Sequence, residues 1–336
     1  MQQTAPGKRA SASAHSEIVR RKTPILYRWL GDRVFTTVIV GLALSVMIIT
    51  ILNAVVLLRE GAPPIRLFGF FGFLFGEVWD PAVRLQFGTW PFVLGTLITS
   101  IGALLLSLFP AIAVAIFSAE YAPRWLARII DYTVDLLAAI PSVVVGIWGI
   151  FVLASWLRDV FYMPFYLWAV ENAPAILPAL GAPTGYNLIT ATLVLALMIV
   201  PYTTALTRDA IKLVPKEQRE AAWALGATRW EVMRMAVLPY ARGGIVAGAI
   251  LSFGRAIGET MAVAMLVGNR NRLPFTFFGP AATMPSVIVN EFREAVENLH
   301  LQSLMAVGFY LFIIALIVNL LAAYIQRKML VGSRGV

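Results

Sequence analysis

Cysteine is absent from the 336 residues, which removes disulfides, thiolate catalysis and cysteine-bound zinc or iron–sulfur centres together. Histidine is almost as scarce: His15 and His300 stand far apart in sequence, so no histidine metal cluster is expected. No G-x-x-x-x-G-K-[ST] motif occurs, so the chain has no recognisable loop of its own for ATP phosphates. Charged residues make up only 13% against 59% hydrophobic, far outside the range of a soluble domain. No internal repeat is evident, which leaves an inverted-repeat secondary transporter without support from symmetry. A membrane-embedded enzyme would need a clustered nucleophile, base or metal site, and none stands at plausible spacing.

Long apolar runs are what the chain has instead. Six of them are long enough to cross a bilayer, near Val34–Leu58, Phe92–Phe117, Val134–Leu157, Leu188–Leu206, Gly243–Val267 and Leu304–Ile325. Their apolarity is continuous, whereas barrel strands would alternate, so the expected fold class is an all-α polytopic membrane protein with six transmembrane helices in residues 34–330. The net charge of +9 raises the question of nucleic acid, but its distribution answers it. With both termini inside, 19 of the 27 Lys and Arg fall in inside segments and 7 in outside ones, with Arg255 within a span. That is the positive-inside bias. It places the termini and the 207–242 loop in the cytoplasm, with membrane lipid as the surroundings and no nucleic acid as partner.

Residues 1–33 form a basic cytoplasmic tail whose Ser/Ala-rich part, 1–23, is expected to be disordered. The tail is not read as a signal peptide, because the first apolar run is too long and no small-residue cleavage site follows it. Phe70–Phe75 is too short to span, and its aromatics suit an interfacial belt packed on other helices. Pro123 ends the second span, whose Pro110 is a candidate kink. The third span is expected to open with Asp135 and to contain Pro141 in AAIPSVVVGIWG, where small residues suit close helix packing. An outer loop is expected over 158–187. In the last outer loop, Val287, Ile288, Phe292, Val296 and Leu299 share one side of an expected surface helix over 286–299, with Glu291, Glu294 and Glu297 elsewhere. That helix suits either a soluble partner or a shield over the pore mouth.

The 207–242 loop carries the most informative stretch, EAAWALGATRWEVMRMAVLP, from Glu220 to Pro239. Ala221, Ala222, Leu225, Met233 and Val237 recur near helical spacing and read as one amphipathic helix interrupted at Gly226 and limited by Pro239. Glu-Ala-Ala, then Gly six residues after the Glu, then Leu-Pro twelve residues after the Gly, resembles the EAA loop of ABC-type importer permeases. Glu220, Ala221, Ala222, Gly226, Leu238 and Pro239 match that pattern, and Ala236 stands where the family has Ile. The resemblance implies that these residues dock into a separate ATPase subunit, which carries the ATP and Mg that this chain has no means to bind. It needs no cofactor of its own.

Arg255 lies 12 residues into the fifth apolar run, near the bilayer midplane, and Glu259 follows one expected helical turn later on the same face. A central charge costs about 2.5–3.5 kcal/mol to insert, so both groups are expected to face the bundle interior or a wet cavity. One reading is a self-satisfied ion pair that steadies the helix. The other is an anion station: Arg supplies forked donors for an oxyanion, and Glu259 tempers the field and accepts a hydrogen bond from a protonated one. Hydrogen phosphate carries such a proton and sulfate at neutral pH does not.

A second resemblance covers nearly the whole chain from about residue 30. GRAIGETMAVAMLVGN (Gly254–Asn269), FGTWPFVLGTLITS (Phe87–Ser100), AEYAP (Ala119–Pro123) and AAIPSVVVGIWG (Ala138–Gly149) are similar to the phosphate importer permeases of the PstC type. This implies a type I ABC importer permease fold in the inner membrane, a PstA-like sister permease, a dimeric ABC ATPase and an external phosphate-binding protein. It also implies that Arg255 and Glu259 touch or gate the anion. A permease for sulfate or molybdate shares the same mechanics and stays open as an alternative, as does an ion-coupled transporter with Glu259 as proton carrier.

Overall fold

The computed structural model describes residues 25–273 and 276–332, with side chains described from Arg33 to Lys328; the expected disordered tail 1–23 and His15 lie outside the described residues. Described elements are almost entirely helical, and six helices are long and apolar enough to cross a membrane. They are Arg33–Phe68, Trp90–Tyr121, Ser142–Asn172, Leu188–Lys212, Arg229–Ile257 and Asn298–Lys328. The chain divides into two units, one ending at Val55 and one running from Val56. In the first, the described side chains of α1 (Ile25–Phe68) are mostly exposed and apolar, Val38, Leu42 and Ile49 among them. In water that surface would be costly, and a hydrocarbon phase covers it without cost.

In the second unit, α1 continues through Pro63 and Pro64, which sequence reading places in an interval between helices. The carbonyls deprived of N–H donors belong to the exposed Arg59 and Glu60. Gly61 presses this turn onto the last helix, where an added Cβ would stand 2.7 Å from Ala306 Cα. α2 (Phe70–Phe75) is a packed aromatic turn as expected: Phe73 is fully buried and stacks on Tyr310. A small hairpin, β1 (Trp79–Asp80) with β2 (Gln86–Phe87), leads into α3 (Trp90–Ile116), which passes through Pro110 and a π-turn to end at Tyr121, before Pro123.

The third span departs from expectation. Residues 124–139 form a separate helix, α4, whose apolar and polar faces are strongly segregated. The chain breaks at Ile140–Pro141, and the span itself, α5, is Ser142–Asn172. Pro141 therefore starts a helix rather than sitting inside one, and Asp135 belongs to α4. The expected outer loop 158–187 is helical up to Asn172, because π-turns at Gly149–Ala154 and Arg158–Tyr162 let the helix continue past the exposed Arg158–Asp159 pair. Gly146 lets α5 approach closely, as the small residues suggested: a Cβ there would lie 2.7 Å from Met265 Sδ.

The core is organised on α6 (Leu188–Lys212). Leu188, Ala191, Val194, Leu195 and Ile199 are buried against Ala103 of α3, Ala154 of α5, and residues 256–267. Polar links reinforce the crossings, with the Thr203 hydroxyl donating to Ser252 Oγ at 2.7 Å and Tyr162 and Thr190 sharing a hydrogen bond of 3.1 Å. After a one-turn helix at Leu177–Leu180, the elements beyond α6 are α7 (Lys216–Ala224), α8 (Arg229–Ile257), α9 (Met261–Leu266), α10 (Met284–Glu291) and α11 (Asn298–Gly332).

Candidate functional site: a capped turn and a broken membrane helix

The Glu220–Pro239 stretch is two helices, not the one amphipathic helix expected. α7 stops in a Schellman motif: the Ala227 N–H donates to Ala222 O at 3.3 Å and the Gly226 N–H to Trp223 O at 2.9 Å. Gly226 takes φ +81, the left-handed conformation this cap requires, which explains the glycine at that spacing. Thr228 then caps α8 through a reciprocal box. Its backbone N–H donates to Glu231 Oε2 at 2.7 Å, while the Glu231 N–H reaches Thr228 Oγ1 at 3.4 Å. Pro239 does not limit the helix. A π-turn at Met233–Val237 precedes it, and α8 runs on to Ile257. Val232, Met233 and Val237 are buried, whereas Leu225 projects from the turn, 89% exposed.

Four of the six motif residues, Ala221, Ala222, Gly226 and Pro239, line a groove of about 760 Å³, with Ala236 on its wall. Leu238 packs instead on the buried cluster around Val237, and Glu220 is exposed. An Ile at position 236 would project into this groove, so the alanine leaves it deeper.

Two charge clusters lie at this end of the bundle; one ties α7 to its neighbours and the other joins α4 to α6. Arg219, beside the motif Glu, reaches Glu120 in AEYAP through Nη2 at 2.6 Å and Nε at 3.1 Å, and donates to the carbonyls of Ile211 (2.9 Å) and Val214. This ties α7 to the ends of α3 and α6. Nearby, Asp131 of α4 accepts from Ser118 at 2.6 Å and Lys212 at 2.9 Å, with Arg208 Nη1 at 3.2 Å. Burial works to raise the Asp131 carboxyl, but those donors and the cations outweigh it and hold the group below the usual carboxylate range. Asp135 lies at the edge, 3.9 Å from Arg208.

The expected 25-residue fifth span is broken. α8 ends at Ile257, Gly258 follows, and the chain restarts as α9. Arg255 is in the last turn of α8, while Glu259 lies past its end, so the two do not share a helical face. Glu259 instead accepts the Ala262 N–H at 3.5 Å, at the start of α9. One sequence expectation is an Arg255–Glu259 ion pair; the two side chains form none. The Arg255 guanidinium lies over the Tyr202 ring, 4.3 Å from its centroid, and the Tyr202 hydroxyl donates to Ala138 O at 2.6 Å. This cation–π contact faces a cavity of about 340 Å³ with a largely apolar lining that includes Leu137, Trp148 and Met198.

The expected surface helix at 286–299 also differs. α10 stops at Glu291, and Val296 is 94% exposed, so the apolar side does not persist. Glu291 points inward and accepts from Trp79 Nε1 at 2.8 Å and Asn271 Nδ2 at 2.5 Å, with His300 Nε2 at 2.8 Å.

Among the described residues, six membrane-length helices with a helical turn outside them and a charged break beside Arg255 are the architecture of a membrane permease. Solved structures agree on the fold. A bacterial alginate ABC transporter chain aligns with 90% of this chain and 98% of its own at a TM-score of 0.58 and 16% identity. A chain of the MetNI methionine ABC transporter, inward facing, aligns with 75% of this chain and 99% of its own at 0.53 and 17%. The fold is that of type I ABC importer permeases. Residues 111–331 match the family described as binding-protein-dependent transport system inner membrane component, and the chain belongs to that family. Relatives named phosphate transport system permease protein PstC include one from Mesorhizobium japonicum, 39% identical over 89% of this chain and 91% of its own. Another, from Haemophilus influenzae, is 39% identical over 88% and 92%. Family members work with a separate ATPase and a binding protein.

Proposed function

We propose that this chain is the permease subunit of an ATP-driven phosphate importer, forming half of the translocation pathway beside a PstA-like sister permease. The observation that carries the reading is Arg255, a guanidinium without a carboxylate partner among the described residues. It stands at the break of a membrane helix, in a chain similar over most of its length to phosphate permeases. The exposed turn at Leu225–Thr228 is the dock for a dimeric ATPase, and it lies on the cytoplasmic side with both termini. An external phosphate-binding protein delivers the anion from the other side. α8 joins the two sites: from Arg229, beside the turn the ATPase pushes, to Arg255, the cation the anion meets, it spans about 39 Å.

Tyr202 packs against Arg255, and an arriving oxyanion replaces a weak cation–π contact with charge-assisted hydrogen bonds. Glu259, half-buried at the start of α9, accepts a hydrogen bond from the hydroxyl of hydrogen phosphate, which keeps its proton. The test is uptake of labelled phosphate by proteoliposomes holding this chain with its ATPase, sister permease and binding protein. Arg255→Gln should cut uptake by about 10- to 100-fold, the worth of a lost hydrogen bond to a charged group. Excess sulfate should not compete in the wild type, and Glu259→Gln should admit it. Effective sulfate competition in the wild type would refute the phosphate assignment.

A further inference from the structure

At the end of the bundle opposite the docking turn, two loops face each other across a cavity of about 690 Å³. α3 fixes which end this is, since it begins beside the β1–β2 hairpin and finishes at the Glu120–Arg219 pair. One wall is the hairpin. The Asp80 carboxylate accepts the N–H groups of Ala82 at 3.2 Å and Val83 at 3.0 Å, and the turn so formed presents Arg84. Those amides, with a smaller contribution from the Arg84 charge, also hold the Asp80 carboxyl below its usual range.

The other wall includes Arg270, Asn271 and Arg272 after α9, and the backbone of residues 267–272 is pinned. The Arg270 N–H donates to Ala281 O at 3.1 Å and the Ala281 N–H to Val267 O at 2.8 Å. Gly268 takes φ +87, and a Cβ there would stand 2.4 Å from Pro280. The Arg272 N–H closes back on Arg270 O at 2.9 Å, so both arginines project from one tight turn. The nearby Glu291 carboxylate is turned toward Trp79, Asn271 and His300, and it forms no ion pair with the three arginines among the described residues. Among the described residues, none of Arg84, Arg270 and Arg272 takes part in an ion pair, and Glu77 and Asp80 are the carboxylates that share the cavity wall.

We propose that this cavity is an anion basin: a second, low-affinity site that takes a tetrahedral oxyanion and holds it, still partly hydrated, before it reaches Arg255. Three exposed guanidiniums over a concave wall focus field lines and raise the local anion concentration. The volume is far larger than one oxyanion, which suits water-mediated contacts and release rather than tight capture. The next step is short, because the six residues of α9 span only about 9 Å between this loop and the helix break at Gly258–Thr260. The identity of the anion as hydrogen phosphate rests on the function proposed above; the basin itself does not.

The experiment is a residue-resolved arginine footprint. The full chain, reconstituted in uncharged phosphatidylcholine nanodiscs, is treated with phenylglyoxal, and modification of each arginine is read by peptide mass spectrometry. Inorganic phosphate, sulfate and chloride are compared at equal ionic strength. Phosphate should slow modification of Arg84, Arg270 and Arg272 several-fold relative to chloride and leave Arg229, at the docking end, unchanged. The protection should persist in Arg255→Gln, and Arg84 should lose it in an Arg270→Gln/Arg272→Gln double variant. Protection no greater than with chloride overturns the basin, even if uptake stays selective for phosphate. So does protection that appears only on adding the binding protein, which would make the cavity a protein contact. Protection by sulfate and not by phosphate keeps the basin and refutes the phosphate assignment instead.

Discussion

Arg219 gives the sharpest quantitative expectation. It makes two contacts to Glu120 and two to backbone carbonyls, while the two side chains keep only 14% and 21% of their exposure. Arg219→Met keeps the aliphatic stem and removes every donor. Net hydrogen bonds to charged groups are worth about 1.5–3 kcal/mol each. Residual solvent screening and the freedom of Glu120 to turn toward water reduce the total, and about 2 kcal/mol for the whole latch is a fair working figure. α7 would then sample undocked positions, and the affinity of the ATPase subunit for the nanodisc-embedded permease should fall about 30-fold, at 1.4 kcal/mol per decade. Glu120→Gln should weaken binding similarly. The double variant should be no worse than the worse single one, because both remove one interaction. If the single losses simply add, or if neither variant changes the affinity, the latch does not position the dock.

Other expectations follow from particular contacts. Gly226→Ala meets no steric obstacle, since nothing lies within 4 Å of an added Cβ, so its whole cost is the left-handed backbone, about 1–2 kcal/mol. Gly226→Asn should recover part of the lost ATPase affinity in the same titration. Gly95→Ala is different: its Cβ would stand 2.0 Å from Ala282 O, and the yield of folded protein after detergent extraction should collapse. Tyr202→Phe keeps the ring under Arg255 and should retain most phosphate uptake, whereas Tyr202→Ala should raise the phosphate concentration needed for half-maximal uptake or slow turnover. Asp131 should confer a pH dependence. Its folded value lies below the ordinary 3.8, so its contribution is complete above that value and is lost as pH falls through the depressed one. The difference in thermal midpoint between wild type and Asp131→Asn should therefore be full near neutrality and vanish in strong acid.

The six spans were legible because apolar runs of membrane length leave few alternatives. Local spacing also served well where the chemistry is local: the glycine of the Schellman cap lies six residues after Glu220, within one helix and its end. What sequence reading missed has two physical causes. Helix ends inside apolar surroundings are poorly signalled, so Gly258, with Arg255 before it and Glu259 after, passed as the middle of a continuous span. Partners far apart in the chain leave no spacing to read. Arg219 and Glu120 are 99 positions apart, and Trp79 and Glu291 are 212. Helical periodicity puts Glu291 off the apolar side and says nothing of its three partners, which come from the hairpin, the loop after α9 and the start of α11. Pro239 misled in the opposite sense, since a π-turn just before it absorbs the missing N–H and the helix continues.

The central claim is that ATP hydrolysis on a separate subunit drives phosphate through this chain. It is tested most directly by the driving force for accumulation. Proteoliposomes holding the assembled complex should concentrate labelled phosphate when ATP is supplied to the ATPase side, and should show no accumulation with an imposed proton gradient alone. Glu220→Arg, which reverses a charge on the exposed face of α7, the proposed dock, should abolish the ATP-driven component. Accumulation that follows the proton gradient without ATP would contradict the account and make Glu259 the group that carries the coupling.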